Sequence, residues 1–164
     1  MLHDVADALI AWLAETYDVS VEETPEAVAD LLRAPTDAVR VVRVRPADAD
    51  ASPLTFVFTS FPGIPLQAGL LFDSSYPTCG CDACDETGES CGSSLEEAVF
   101  AVADGGLSEA RTPGVELSLS FRLDSARGST GGSCREADYP VERQAAARDQ
   151  LTPHRVWAPW PPRS

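Results

Sequence analysis

Val115-Glu-Leu-Ser-Leu-Ser-Phe-Arg-Leu123 is the stretch that decides the fold class of this chain. Apolar side chains occupy every second position, and glutamate, serine or arginine stands between them. This period of two is typical of an antiparallel strand that packs one face on a core and turns the other face to water. We therefore expect a half-buried antiparallel sheet.

Three more strands are predicted upstream. Residues 54–60 and 64–72 are largely apolar runs separated by Phe61-Pro62-Gly63, which predicts a hairpin. Residues 38–45 are rich in valine. The adjacent pair Val41-Val42 breaks their alternation, which predicts a bulge.

Four helical segments accompany these strands. Residues 3–17 carry apolar side chains at helical spacing, with Trp12 expected in the core. Thr24-Pro25-Glu26 begins a second helix, and the capping box Ser94-Leu-Glu-Glu97 begins a third. Residues 140–150 form the last helix. The pattern predicts an α+β fold in which an antiparallel sheet of about four strands, including one hairpin, packs with three to four helices.

The length and composition fit a single domain, residues 1–164. Residues 152–164 hold two of the three tryptophans among prolines, which predicts an extended C-terminal strap packed on the domain, or alternatively a homodimer interface.

The charge of the chain is strongly negative. It has 26 acidic residues against 12 basic ones, all of them arginine, for a net charge of −14. This charge argues against nucleic-acid binding and suits a basic protein partner. No secretory signal or run of about 20 apolar residues is visible, so we expect no membrane contact and a cytoplasmic location.

The cysteines are concentrated in one segment. Cys79, Cys81 and Cys84 fall within six residues, and Cys91 follows seven residues later. A tetrahedral zinc site commonly uses a Cys-x2-Cys pair, and Cys81 and Cys84 have that spacing. We therefore predict a structural zinc site with Cys79, Cys81, Cys84 and Cys91 as its ligands.

Other interpretations of this segment stay open. By chemistry, Cys134 and His154 are also candidates for the fourth ligand. Cys81 and Cys84 could instead form a redox dithiol, but no arginine or histidine lies between residues 46 and 110, and acidic neighbours disfavour a reactive thiolate. The cysteines could also be reduced, partly buried thiols without a metal.

A second candidate site is basic. Arg43 and Arg45 share one face of the predicted strand, and with Arg40 they form the densest basic patch in the chain. Pairing with acids on neighbouring strands is one role for this patch, and an anion site is the alternative. The backbone amides of the polar segment 127–133 are another candidate for anion binding, but the segment lacks a phosphate-loop pattern.

Two motifs give the chain a resemblance to a known family. Residues 79–85, Cys-Gly-Cys-Asp-Ala-Cys-Asp, and the segment Trp157-Ala-Pro-Trp160-Pro161 resemble those of an uncharacterised family of small actinobacterial proteins. The resemblance covers most of the chain and implies no reaction. It implies that the three clustered cysteines matter more than Cys91 and Cys134.

Three functional hypotheses follow. The first is a small cytoplasmic binding or structural module with a zinc-binding loop. The second is an acidic protein that masks a basic partner, as an antitoxin or immunity protein does. The third is a thiol redox protein using Cys81 and Cys84. An enzyme is less favoured, because His3 and His154 lie in no recognisable catalytic motif.

Overall fold

The computed structural model describes residues 1–78, 86–114 and 116–164. In chain order its elements are α1 Leu2–Thr16, β1 Val19–Glu23, a 3-10 helix Pro25–Asp30, β2 Ala38–Pro46, β3 Leu54–Thr59, β4 Ile64–Ala68, β5 Phe72–Tyr76, α2 Gly88–Ala103, β6 Leu107–Thr112, β7 Ser118–Ser125, β8 Gly128–Arg135, a second 3-10 helix Glu136–Asp138, α3 Val141–Gln150 and β9 His154–Val156.

The strands form two antiparallel sheets, so the prediction of about four strands in one sheet is wrong. The first sheet has five strands in the order β1-β2-β3-β4-β5, and the second has four in the order β8-β7-β6-β9. Across the described ranges this makes nine strands with three α-helices and two 3-10 helices. The α+β class itself is confirmed.

The additional strands were missed because their sequences lack apolar alternation. β8 was read as a polar loop, and its side chains are almost entirely exposed. β1 lies at a sheet edge with mostly exposed side chains. Residues 64–72 form no single strand, because a turn at Gly69 divides them into β4 and β5. The irregularity in β2 lies between Ala38 and Arg40 rather than at residues 41–42.

The five-stranded sheet has two differently covered faces. Helices α1 and α2 pack on one face, where Val42, Val44 and Phe56 join the main hydrophobic core. On the opposite face the 3-10 helix Pro25–Asp30 covers Val41 and Val57 and leaves the rest of that face to a cleft. Burial of apolar surface on both faces fixes the register of these strands.

The helices depart from prediction at their ends and on one face. The segment from Thr24 forms a 3-10 helix, and α2 begins at Gly88 with a capping box between Thr87 and Ser90, so the predicted start at Ser94 is too late. Trp12, expected in the core, is 39% exposed.

Among the described helices, none combines the length and the hydropathy that crossing a membrane requires.

The four-stranded sheet completes the fold together with the C-terminal segment. Helix α3 packs Ala147 and Leu151 against Leu119 of β7. After β9, Trp157 and Trp160 are both buried in the main core. The indole N–H of Trp160 donates a 2.8 Å hydrogen bond to the carbonyl of Ser52, which is far away in the sequence.

Candidate functional site

A cleft of about 520 Å³ lies on the sheet face opposite α1 and α2. Strands β2 and β4, the 3-10 helix Pro25–Asp30 and the first turn of α3 all contribute to its lining. Small-molecule sites typically measure roughly 300–1,000 Å³. The lining carries Arg43, Arg45 and Arg143 against Asp30 and Glu142, so three cations meet two carboxylates in a chain whose net charge is −14.

Two of these arginines reach the cleft through the alternation of β2. Neighbouring valines turn to the core, so Arg43 and Arg45 stand on the opposite face. Arg43 is ion-paired with Asp30, and its Nε donates to Thr55 Oγ1 at 3.3 Å. Arg45 is exposed and has no ion pair with any described residue. The predicted role in pairing with acids therefore fits Arg43, while Arg45 is left available to a ligand.

The third arginine, Arg143, is only 9% exposed. It lies on the same face of α3 as Ala147 and Leu151, which hold that face against the core. Its Nη1 is 3.4 Å from Oδ2 of Asp73, a long contact, and no other described residue accepts a hydrogen bond from its five guanidinium N–H donors. Burial raises the pKa of Asp73, and its Oδ1 has no hydrogen-bond partner among the described residues.

One rim of the cleft is the turn between β4 and β5. Gly69 has a φ of 55°, and a Cβ there would lie 1.7 Å from Oε1 of Glu109. Gln67 supports the turn by donating from Nε2 to the Gly69 carbonyl at 2.7 Å. The turn therefore requires glycine for both its backbone angle and its close approach to Glu109.

Glu109 is a buried carboxyl directly behind this rim, 1% exposed. Its Oε1 accepts hydrogen bonds from the Leu70 N–H and from the Trp157 indole, each at 2.9 Å. Burial raises the pKa of Glu109 to about 7, although both hydrogen bonds favour the ionised form. One titratable group thus connects the cleft rim with the C-terminal segment.

The predicted zinc ligands are only partly covered by the structure. Cys79, Cys81 and Cys84 lie outside the described residues. Cys91 is buried in α2 as part of the main core, and Cys134 is exposed on β8. In the three described ranges, no group of three or more histidine, cysteine or acidic residues could hold a metal ion.

The residues that flank this segment are nevertheless close together. The Thr78 N–H donates to Oε2 of Glu86 at 3.0 Å. Thr78 follows the end of β5 at Tyr76, and Glu86 precedes the start of α2 at Gly88. The side chain of Glu86 therefore holds together the two residues that flank residues 79–85.

The two histidines are not brought together. His3 of α1 is half-buried against the ring of Phe58, with centroids 5.2 Å apart, and its Nε2 is buried with no hydrogen-bond partner in the described chain. His154 is exposed on β9. Neither residue lines the cleft.

Sequence reasoning identified two of the three arginines of the cleft. It found Arg43 and Arg45, but Arg40 turns to the other face, where it pairs with Asp7 and Glu23. It missed Arg143, because it assigns Val141, Ala145 and Leu151 to the weak apolar edge of the last helix, whereas Val141 is exposed. The spacing of Arg143, Ala147 and Leu151 by four residues was the available signal.

Comparisons with known proteins identify a family but no activity. Neither the curated proteins nor the solved structures contain a match to this chain. A family model matches residues 1–164, the whole of the chain. On that match, the chain belongs to a family of unknown function, DUF6226.

Proposed function

We propose that this protein is a binding module that holds a small organic anion in the arginine-lined cleft. The observation that carries the proposal is the convergence of Arg43, Arg45 and Arg143 on one cavity of about 520 Å³. In a chain with 14 more negative than positive charges, such a concentration of cations favours a ligand of opposite sign.

The ligand class follows from the chemistry of the arginines. A guanidinium presents a planar fork of donors that matches a carboxylate or a phosphate in two parallel hydrogen bonds. Arg45 is free to bind in this way, and Arg143 holds Asp73 only by a contact of 3.4 Å. Since Arg143 is buried, its attraction to an anion is screened less by water than that of a surface charge.

The two carboxylates that line the cleft restrict the class of anion that it can bind. Arg43 already neutralises Asp30, while Glu142 is exposed and has no ion pair within the described part of the chain. A ligand with many negative charges would be repelled by Glu142. The cleft therefore suits a ligand with one carboxylate or phosphate group and a polar or apolar body.

Calorimetric titration tests this proposal with butyrate and with phenyl phosphate, which each carry one anionic group on an apolar body, at constant ionic strength. We expect Arg45→Gln to weaken binding by at least about tenfold, because a hydrogen bond to a charged group contributes about 1.5–3 kcal/mol. Arg33→Gln is the matched control, since Arg33 is exposed, lies outside the cleft and carries the same charge. No binding of either anion, or equal loss in both variants, would contradict the proposal.

We further propose that residues 79–85 bind zinc as a structural element of this module. The supporting observation is the 3.0 Å hydrogen bond from Thr78 to Glu86, which brings the two flanks of the segment together. Three thiols in a seven-residue segment with adjoining ends need little chain ordering to meet one ion. Cys91 stays the proposed fourth ligand, although its burial in the core is equally expected of an apolar packing residue.

Elemental analysis of protein purified without a histidine tag tests the zinc proposal. We expect about one zinc per chain in the wild type and in Cys134→Ser, and loss of zinc in Cys81→Ser. Wild-type protein without stoichiometric zinc would exclude the site. Thiol titration on the same samples tests the redox alternative, since a reactive Cys81 requires a midpoint clearly below about 8.5.

A further inference from the structure

Helices α1 and α2 lie side by side and run in the same direction. A Cβ at Gly92 would be 3.7 Å from Val5, and two turns further along the rings of Phe100 and Trp12 are 5.0 Å apart. Between these contacts, Glu96 borders a groove of about 400 Å³ together with Ala8 of α1. We call the outer surface of the two helices the helical seam. It extends from Ala8 on α1 to Asp104, the residue that follows the end of α2.

The helical seam exposes large apolar side chains. Trp12 and Phe100 are each 39% exposed and stack edge to face on one another. Half-buried Val5 and exposed Ala8 add apolar surface along the groove. An exposed aromatic pair next to an apolar groove is typical of a protein interaction site.

The side-chain charges on these two helices are negative, although Arg163 lies beside α1, where its Nη1 donates to the Ala14 carbonyl at 2.6 Å. Neither helix contains an arginine or a lysine. Glu15, Glu89, Glu96 and Asp104 are exposed, and no described residue forms an ion pair with them. The other helix acids are compensated, since Asp7 pairs with Arg40, and Glu97 lies 3.6 Å from Arg127 at the edge of the seam. Asp4 pairs with the amino terminus at 2.8 Å.

We propose that the helical seam is the docking surface for an arginine- or lysine-rich segment of a partner protein. A guanidinium stacks favourably on the face of a tryptophan, and the aliphatic stem of a basic side chain packs on apolar surface while its charge meets a rim carboxylate. The seam supplies all three elements through Trp12, the groove at Ala8, and the carboxylates of Glu96 and Asp104.

Charge complementarity distinguishes this occupant from a second copy of the chain. Two copies meeting at their seams would bring uncompensated carboxylates together in a protein that carries −14 overall. Like charges in contact across an interface oppose association. A basic partner turns the same charges into favourable contacts and faster encounter.

This surface is independent of the arginine-lined cleft. The helical seam belongs to the helices on one face of the five-stranded sheet, and the cleft opens on the other face. A small anion and a basic partner could therefore be bound together. Failure of either proposal leaves the other unaffected.

Calorimetry with a nona-arginine peptide, combined with tryptophan fluorescence, tests the docking surface. Trp157 and Trp160 are buried, so a change in emission on binding reports mainly on Trp12. We expect the double variant Glu96→Gln/Asp104→Asn to bind roughly fourfold more weakly, because each exposed ion pair contributes a factor of about two. Affinity should also fall as salt rises, since screening shortens the reach of these charges to about 8 Å at 0.15 M.

The matched control variant removes two carboxylates that lie outside the helical seam. Glu22→Gln/Asp149→Asn changes the net charge equally, at exposed positions on β1 and α3. Equal loss of affinity in both double variants would show attraction by net charge alone and overturn the proposal. So would an unchanged Trp12 emission, spermine binding as tightly as the peptide, or a dimer in sedimentation that Trp12→Ala abolishes.

Discussion

Replacing Glu109 by glutamine should remove a pH-dependent loss of stability. The pKa of this carboxyl is raised from 4.5 to about 7 by burial, so the folded state holds a proton that the unfolded state has released between these values. Stability conferred by this group is therefore complete below pH 4.5 and falls as pH rises toward 7. At about 1.4 kcal/mol per pH unit, the loss amounts to about 3 kcal/mol above pH 7.

Urea unfolding of both proteins at several pH values between 4.5 and 8 measures this effect. Glutamine has the same shape and keeps an oxygen at the Oε1 position, which accepts both 2.9 Å hydrogen bonds, so losing only the 3.1 Å contact from the Leu70 N–H to Oε2 should cost at most about 1 kcal/mol at every pH. The stability of Glu109→Gln relative to wild type should therefore increase by about 3 kcal/mol across the range.

Glu136→Gln is the control with the opposite sign. Glu136 is also buried, but Arg111 and Arg148 hold the pKa of its carboxyl below the ordinary value, with Nε–Oε distances of 2.8 and 2.6 Å. Its contribution is present at neutral pH and disappears as pH falls through its folded pKa. If the difference between Glu109→Gln and wild type is constant from pH 4.5 to 8, the reasoning about burial is refuted.

Further predictions concern the turn, the C-terminal segment and the described cysteines. Gly69→Ala should lower the free energy of unfolding by more than about 2 kcal/mol, because a Cβ at positive φ would collide with Glu109; an unchanged urea midpoint would contradict this. Trp160→Phe should lower it by about 1–3 kcal/mol, since a buried indole hydrogen bond is lost, and thermal melting measures this; a change near zero would count against the packing described. Cys91→Ser should lower the free energy of unfolding by about 1–3 kcal/mol, because Cys91 is buried. Cys134→Ser should change it by less than about 0.5 kcal/mol, because Cys134 is exposed. Equal effects of the two substitutions in urea unfolding would refute the difference in burial.

The strands that the sequence predicted correctly are those that bury apolar side chains. β3 was predicted because it is apolar throughout, and all six of its residues are buried. β7 was predicted from its period of two, which the structure confirms from Ser118 onward through burial of Leu119 and Leu123, whereas Leu117 precedes the strand and is exposed. In contrast, the glycine- and serine-rich β8 carries no such period, and only its ladder with β7 makes it a strand.

For the candidate site, too, a local pattern predicted some of the residues and tertiary packing decided the others. Arg43 and Arg45 were predicted to share a face because strand alternation is a local property of the backbone. The addition of Arg143, about one hundred residues later in the chain, required the packing of α3. The raised pKa of Glu109 likewise depends on tertiary structure, because it results from burial among segments distant in sequence, against the hydrogen bonds from Leu70 and Trp157.

The sequence by itself determined the α+β class, the net charge of −14 and the alternation that places two arginines on one face of β2. These properties arise from composition and from periods of two and 3.6 residues, which neighbouring residues alone define. The tertiary structure decided the division into two sheets, the assembly of the cleft and the exposure of Trp12 beside Phe100. Each of these depends on contacts between segments far apart in the chain, and no local pattern encodes such contacts.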